Sequence, residues 1–541
     1  MELTRRSFVA GMAAAGALAG MGTSFAFADA PQASEETTAD LIVVGAGSAG
    51  LTAAAKAAQD GAKVIVLEAA PVSGGTTKIC GAHWKFMNED FMSKLPERTE
   101  DSDKTISAVL DWNPDDFGAY AEACKTCKAD VEAYLASDNT LEFDSIEYWL
   151  CLHFLGTKGV DLDGVEAVAD YDVVAPSYYN SGEIAEWIQS SGLKLSDPQP
   201  NNRGAGGPLS IEPEGQGFGL IQALEGMALD AGAQIIFDTK AVKLVTDESG
   251  KVCGVVAEGP QGSVTYAANK LVLLATGGYC SNGEMVAKQN YFTGIDDTAP
   301  SCEPATCDGT GIMMAQELGA ATANMSFVQF FGFPEAQMGS IETLFPKMGV
   351  CKFICNLDGV RFTNDQRSFF GGGDLEGVRA ICEQPRGRYF FVGDAAAQEA
   401  RGDNYADDVK VGLIVEGETP VALAEAAGIN AANFEATVEA WNGYVDAGED
   451  PDFGRNMERA AKVETAPFVV MPMAAYAQNT MGGLVINPQG QVVTEAGTAI
   501  EGLYAAGEVT GNLDGACRRH GDNFAQILYY GWLAGKTVAK A

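Results

Sequence analysis

Positive charge is scarce in this chain. Only 35 lysines and arginines stand against 73 aspartates and glutamates in 541 residues, a net charge of −38. Such a field repels phosphate backbones and anionic headgroups, which argues against nucleic acid and anionic membrane surfaces as partners. Paired cysteine motifs are scarce too. Among the 12 cysteines, Cys124-Lys-Thr-Cys127 is the sole CxxC. Lys128 follows it where a c-type haem site needs histidine, and no second CxxC completes a zinc site. Buried free thiols are the expectation. An iron–sulfur cluster from dispersed cysteines stays open, because spacing does not report spatial proximity. Beyond the N-terminal segment no stretch is long and apolar enough to span a bilayer. There are no internal repeats. Glycine, by contrast, is abundant, with 64 residues, and points to many tight turns and close backbone approaches.

The N-terminus reads as an address. Thr4-Arg5-Arg6-Ser7-Phe8 resembles a twin-arginine export signal, and an Ala/Gly-rich run follows to about Ala28. Ala26-Phe27-Ala28 and Ala28-Asp29-Ala30 fit small-x-small cleavage. The expectation is a signal peptide over 1–30, a linker over 31–37 and a protein exported to the periplasm or cell surface. Alanine and glycine insert weakly, so no stable membrane insertion is expected after cleavage.

The chemistry begins at Leu41-Ile42-Val43-Val44, a buried-strand pattern. Gly45-Ala46-Gly47-Ser48-Ala49-Gly50 is a GxGxxG loop between that strand and an alanine-rich helix. Gly45 permits the turn, Gly47 lets the backbone approach a pyrophosphate, and Gly50 lets helix and strand pack closely. The helix N-terminus offers free N–H groups to the phosphates. Glu68 ends the next strand and can accept from a ribose diol. Two later segments select FAD over NAD. Leu271–Gly278 carries Ala275-Thr276-Gly277 after a buried strand, matching an element of two-dinucleotide-fold flavoproteins. Gly502–Gly511 carries Gly507-Glu508 and matches their second FAD segment.

From about Ala39 onward the chain resembles the fumarate reductase/succinate dehydrogenase flavoprotein family. The likeness is to its soluble bacterial branch, with urocanate, methacrylate and cinnamate-type reductases and 3-ketosteroid dehydrogenases as cousins. Ser73-Gly74-Gly75-Thr76-Thr77-Lys78 resembles the family loop beside the flavin. Thr306-Cys-Asp308-Gly309-Thr-Gly311 resembles its GDG element, and Asp358–Asp365 its G-x-R-F-x-N-E motif. The resemblance implies an α/β fold: a Rossmann-like two-dinucleotide-binding FAD domain with an inserted α+β capping domain. The expected boundaries are 38–320 and 471–541 for the FAD domain and 321–470 for the cap. It adds Gly74, Gly75, Thr76, Thr77, Asp308 and Asn523 to the cofactor residues. No histidine lies in Thr76–Ala82, so the FAD is expected to be non-covalent. Electrons are expected from a separate donor protein, a membrane-anchored cytochrome.

The substrate motifs depart from the dicarboxylate pattern. Phe331 stands where F-x-Q-F-H supplies a histidine, and Asn479 where a histidine precedes Thr480-Met-Gly-Gly. A ring offers no donor, so burying a carboxylate there costs several kcal/mol. The family's C-terminal arginine matches either Arg518 or Arg519, and one of them is expected to clamp a carboxylate or carbonyl oxygen. The family's proton-donating arginine has no match, since Ala397 stands in its place. Arg401, Tyr405, Arg367 with Asp365, and Tyr476 are the candidates left. The expected activity is hydride transfer from reduced flavin to the C=C bond of an α,β-unsaturated acid or enone with an apolar or aromatic body. A ketosteroid-type enzyme, a fumarate-like reductase and an electron-transfer flavoprotein without its own substrate are the alternatives.

Overall fold

The computed structural model describes residues 37–160, 164–200, 209–290, 292–335, 351–366, 375–519 and 521–540. The export segment and Arg367 lie outside them.

A parallel sheet organises the cofactor side. Strand β1 (Thr38–Val44) buries its last four residues, as a strand covered on both faces must. It leads through Gly45–Gly47 into helix α1 (Ser48–Gln59), and β2 (Val64–Leu67) returns beside β1. Strand β3 (Gln234–Ile236) extends the sheet beyond β2. Strands β4 (Lys240–Thr246) and β5 (Val252–Gly259) form a hairpin. Its turn closes on Asp247 Oδ1, which accepts from the amides of Ser249 and Lys251 at 2.8 and 3.1 Å. Strand β6 (Gly262–Leu274) pairs antiparallel with β5 over its first half and parallel with β1 over its second.

The cap is a second, antiparallel sheet. Strands β7 (Val328–Pro334), β8 (Phe353–Cys355), β9 (Arg388–Gly393), β10 (Val415–Gly417) and β11 (Phe468–Thr480) assemble in the order β7-β11-β9-β8, with β10 on β11. The boundary expected at 470/471 falls inside β11. This one strand carries the cap's pairing from Phe468 to Thr480, at the cofactor's edge. Asp450 accepts both guanidinium nitrogens of Arg361 at 3.0 and 2.9 Å, and Asp365 pairs with Arg455 at 3.0 Å. Both arginines lie over the ring of Trp441, 5.0 and 4.8 Å from its centroid. Burial pushes the Asp450 carboxyl up, but Arg361 and the neighbouring amides outweigh it and hold it at about 2.

The chain then returns through β12 (Gln491–Val493) and β13 (Ala499–Ala505), which joins the main sheet beside β6. It ends in a helix, Asn523–Lys540, packed on α1. Small residues make that contact possible: a Cβ on Gly531 would meet the Ala49 carbonyl oxygen at 2.3 Å. Between β2 and β3 lies a helical layer holding Cys124, Cys127 and Cys151, all buried. All twelve cysteines are free. Cys151 is in side-chain contact with Cys124 and Cys127. No helix of the described residues is long and apolar enough to cross a membrane.

Candidate active site

The glycine loop, the ends of β1, β2 and β6, and the segment after β13 converge on one cavity of about 1130 Å³, part of it open solvent. Every cofactor candidate named from the sequence lines it except Ala46 and Gly50, which stand behind its wall. The Ala46 amide donates to Glu68 Oε2 at 2.7 Å. A Cβ on Gly50 would meet the Gly45 carbonyl oxygen at 2.0 Å and Val43 Cγ1 at 3.0 Å, so only glycine lets α1 sit against β1. Gly45 has φ +106°, and a Cβ there would meet the Ala275 carbonyl oxygen at 2.3 Å. The turn therefore has no room for a side chain.

This wall fits FAD. The N-terminus of α1 has no side-chain cap and no acidic residue in its first turn, and Gly47, Ser48 and Ala49 line the cavity. Its amides and dipole suit a pyrophosphate. Glu68 is anchored by the amides of Ala46 and Ala70 (2.8 Å), leaving lone pairs for a ribose diol. Burial pushes its pKa up, against those bonds. Two buried atoms on cavity-lining residues, Thr276 Oγ1 and Asn523 Oδ1, have no protein partner. Bound here, FAD would supply hydride chemistry at its flavin ring.

Sequence reasoning missed Thr239, Lys240 and Ala241 at the start of β4, and Gln478 on β11. Lys240 pairs with Asp308 at 2.5 Å. Burial pushes the Asp308 carboxyl up, but bonds from Lys240 and Thr310 bring it below its ordinary value. Gln478 arrives through a β-bulge. Gln329 pairs with Asn479 and Phe330 with Ala477, so Gln478 is the extra residue. The bulge lets neighbours Gln478 and Asn479 both line the cavity, which strict alternation forbids. No sequence signal announces it.

The two arginines separate. Arg518 lines the cavity, and its Nε and Nη2 donate to Gln329 Oε1 at 3.1 Å and Gln478 Oε1 at 3.0 Å. Arg519 lies behind it, 3.4 Å from the buried Asp522, which also contacts Lys85 and His153 (3.3 Å). Phe331 does not line the cavity; it is buried in an apolar cluster with Phe333, Ala474 and Tyr476. Thr480 is turned to Glu508, donating to its Oε1 from its amide at 2.8 Å and its hydroxyl at 3.2 Å.

Other candidates are engaged elsewhere. Asp365 is closed inside the cap's ion cluster, where Arg361 and Arg455 neutralise it. Arg401 donates to Asp408 at 2.5 Å and Tyr405 to Glu416 at 2.7 Å; neither lines the cavity. The Tyr476 hydroxyl donates to the carbonyls of Pro334 and Glu335 at 3.3 and 3.4 Å.

A family model for the FAD binding domain matches residues 40–523. The chain belongs to this FAD-binding family. The NADH:acrylate oxidoreductase of Vibrio harveyi is 29% identical over 93% of the chain, which spans only half of that relative's length (50%). The urocanate reductase of Eggerthella lenta is 29% identical over 94% of the chain and 76% of the relative. Among solved structures, the open form of a flavocytochrome c3 fumarate reductase matches with TM-score 0.68 at 25% identity, covering all of this chain and 81% of that one. A 3-ketosteroid Δ1-dehydrogenase from Sterolibacterium denitrificans shares the fold, with TM-score 0.66 at 17% identity over 93% of this chain and 100% of that one. The family member described here is an FAD-dependent oxidoreductase related to acrylate, urocanate and fumarate reductases.

Proposed function

We propose that the protein reduces the C=C bond of an α,β-unsaturated acid or enone with one anionic or carbonyl head and an apolar or aromatic body. One observation carries this reading. Arg518 is the sole arginine on the cavity wall among the described residues, and two glutamine side chains hold its guanidinium. The other cation on that wall, Lys240, is paired with Asp308. A planar guanidinium binds a carboxylate in two places, or polarises a carbonyl and with it the conjugated bond. Phe331 and Asn479, in place of the two histidines, leave no second carboxylate clamp.

Reduction adds a hydride to the β-carbon and a proton to the α-carbon. Arg518 orients the head group and stabilises the negative charge that develops on it. Gln329 and Gln478 fix the guanidinium plane.

A ring ketone of the steroid type is the second reading, favoured by Phe331 and Asn479 standing in place of the two carboxylate-binding histidines. Anaerobic flavin reoxidation separates the two: unsaturated acids oxidise the reduced protein under the first, ring enones alone under the second. No response to either class would remove both.

The sequence features support twin-arginine export to the periplasm or cell surface, non-covalent FAD, and a separate donor protein, such as a membrane-anchored cytochrome. Domain limits of 38–320 with 471–541 for the FAD domain and 321–470 for the cap accompany this reading.

A further inference from the structure

A second carboxyl group lies beside Glu508. Glu303 is 7% exposed, and neither of its carboxyl oxygens has a hydrogen-bond partner of standard geometry. Yet a Glu303 oxygen, a Glu508 oxygen and Cys280 Sγ all lie within 4.8 Å of one another. Glu508 lines the cofactor cavity and accepts from the amide and hydroxyl of Thr480. Among the described residues no lysine, arginine or histidine pairs with Glu303. The other groups facing the pair are Cys280, Cys302, Cys307, Thr76 and Tyr279, and a third buried carboxyl, Asp514, acts on Glu508 but titrates lower, at about 6. Arg518 is the cation that acts on Glu508.

Two carboxylates this close repel, and with Arg518 as the one cation acting on them, ionising both leaves an uncompensated charge on buried Glu303. Glu508 is the better anion, since it accepts two hydrogen bonds from Thr480 and feels Arg518. We propose that Glu303 is a positioning residue for the FAD site: its carboxyl stays protonated, donates to Glu508, and leaves the pair with a single negative charge. Burial acts in the same direction on Glu303, pushing its pKa well up. The hydrogen bond holds Glu508 against Thr480 on the cavity wall. When pH rises, Glu303 gives its proton to solvent. The two carboxylates then repel, Glu508 leaves Thr480, and the cofactor is held less well.

The inference rests on FAD being the cofactor, and the test keeps the two apart. Holoprotein, wild type and Glu303→Gln, is titrated for FAD release by fluorescence between about pH 6 and 9. Glutamine keeps the shape and the donor but cannot ionise. The wild type is expected to lose FAD affinity about tenfold across one unit of the pair's titration, and Glu303→Gln to stay flat. Infrared difference spectra between the two proteins in H2O and D2O supply a readout that needs no cofactor. A buried carboxylic-acid carbonyl band is expected in the wild type and lost in Glu303→Gln. Parallel pH profiles overturn the proposal, as does the absence of that band. One tightly held cation per chain by elemental analysis overturns it too, since a metal ion would replace the proton. Protein that binds no FAD at any pH removes the cofactor reading instead, and the infrared band still decides the proton. Should Glu303→Gln fail to fold, Glu303→Asp supplies the difference spectrum, and a carbonyl band that does not move between it and the wild type overturns the proposal.

Discussion

Removing the Asp522 carboxylate is expected to loosen the loop that presents Arg518. Asp522, Lys85 and His153 have fully buried side chains, and Arg519 is 13% exposed. Burial alone would push the Asp522 carboxyl up, but Lys85, Arg519 and His153 hold it far below the usual carboxylate range. Burial also pulls Lys85 down, against Asp522. The carboxylate is the member with three partners, so the charged pair is the state that fits. Asp522→Ala takes the paired carboxylate from Lys85 and Arg519 and leaves Lys85 only the weaker attraction of Asp144, a loss of about 3–5 kcal/mol. Unfolding entropy of about 2.1 cal/mol/K per residue gives roughly 1.1 kcal/mol/K for 541 residues. The expected fall in Tm is therefore about 3–4 °C. Lys85→Met leaves Asp522 with Arg519 and His153, so it should cost less. Because the pKa is depressed in the fold, the contribution is present above the unfolded value of about 3.9 and fades as pH falls below it. Calorimetry of both variants at pH 7 and pH 3 checks this. An Asp522→Ala protein melting within about 1 °C of wild type at pH 7 refutes the buried-ion argument.

Arg518→Ala is expected to lower kcat/KM about 10- to 100-fold, the loss of a charge-assisted contact of about 1.5–3 kcal/mol, with FAD retained. Arg519→Ala should instead lower Tm, and steady-state kinetics beside calorimetry separates the two roles. Gly45→Val should abolish FAD binding, because the added carbons occupy the space of the Ala275 carbonyl, and the purified protein should lack flavin absorbance. Asp514 is buried, its Oδ1 is unpaired, and burial lifts its pKa to about 6. A raised carboxyl costs stability once pH exceeds its unfolded value, increasingly up to about pH 6. Asp514→Asn should thus melt higher than wild type at pH 7 and equally at pH 3.5, by thermal denaturation.

The cofactor half was legible because its constraints are local. The turn at Gly45 and the acid at Glu68 follow from strand, turn and helix chemistry within about thirty residues. The loss of two histidines, at Phe331 and Asn479, followed from the resemblance to the family's motifs.

What only the tertiary structure decided depends on contacts between distant segments. Arg518 and Arg519 are neighbours in sequence, and either fits the motif. They part because Lys85, His153 and Asp522 lie behind one of them, while Gln329 and Gln478 hold the other. Gln478 reaches the cavity through a register slip that alternation cannot foretell. Asp365 disappears into the cap because Arg361 and Arg455 meet it there, and Glu303 becomes conspicuous through Glu508, far along the chain. The sequence by itself determined the local backbone geometry that cradles a dinucleotide. Which charges face the substrate was set by burial and pairing, and those exist only once the chain has folded.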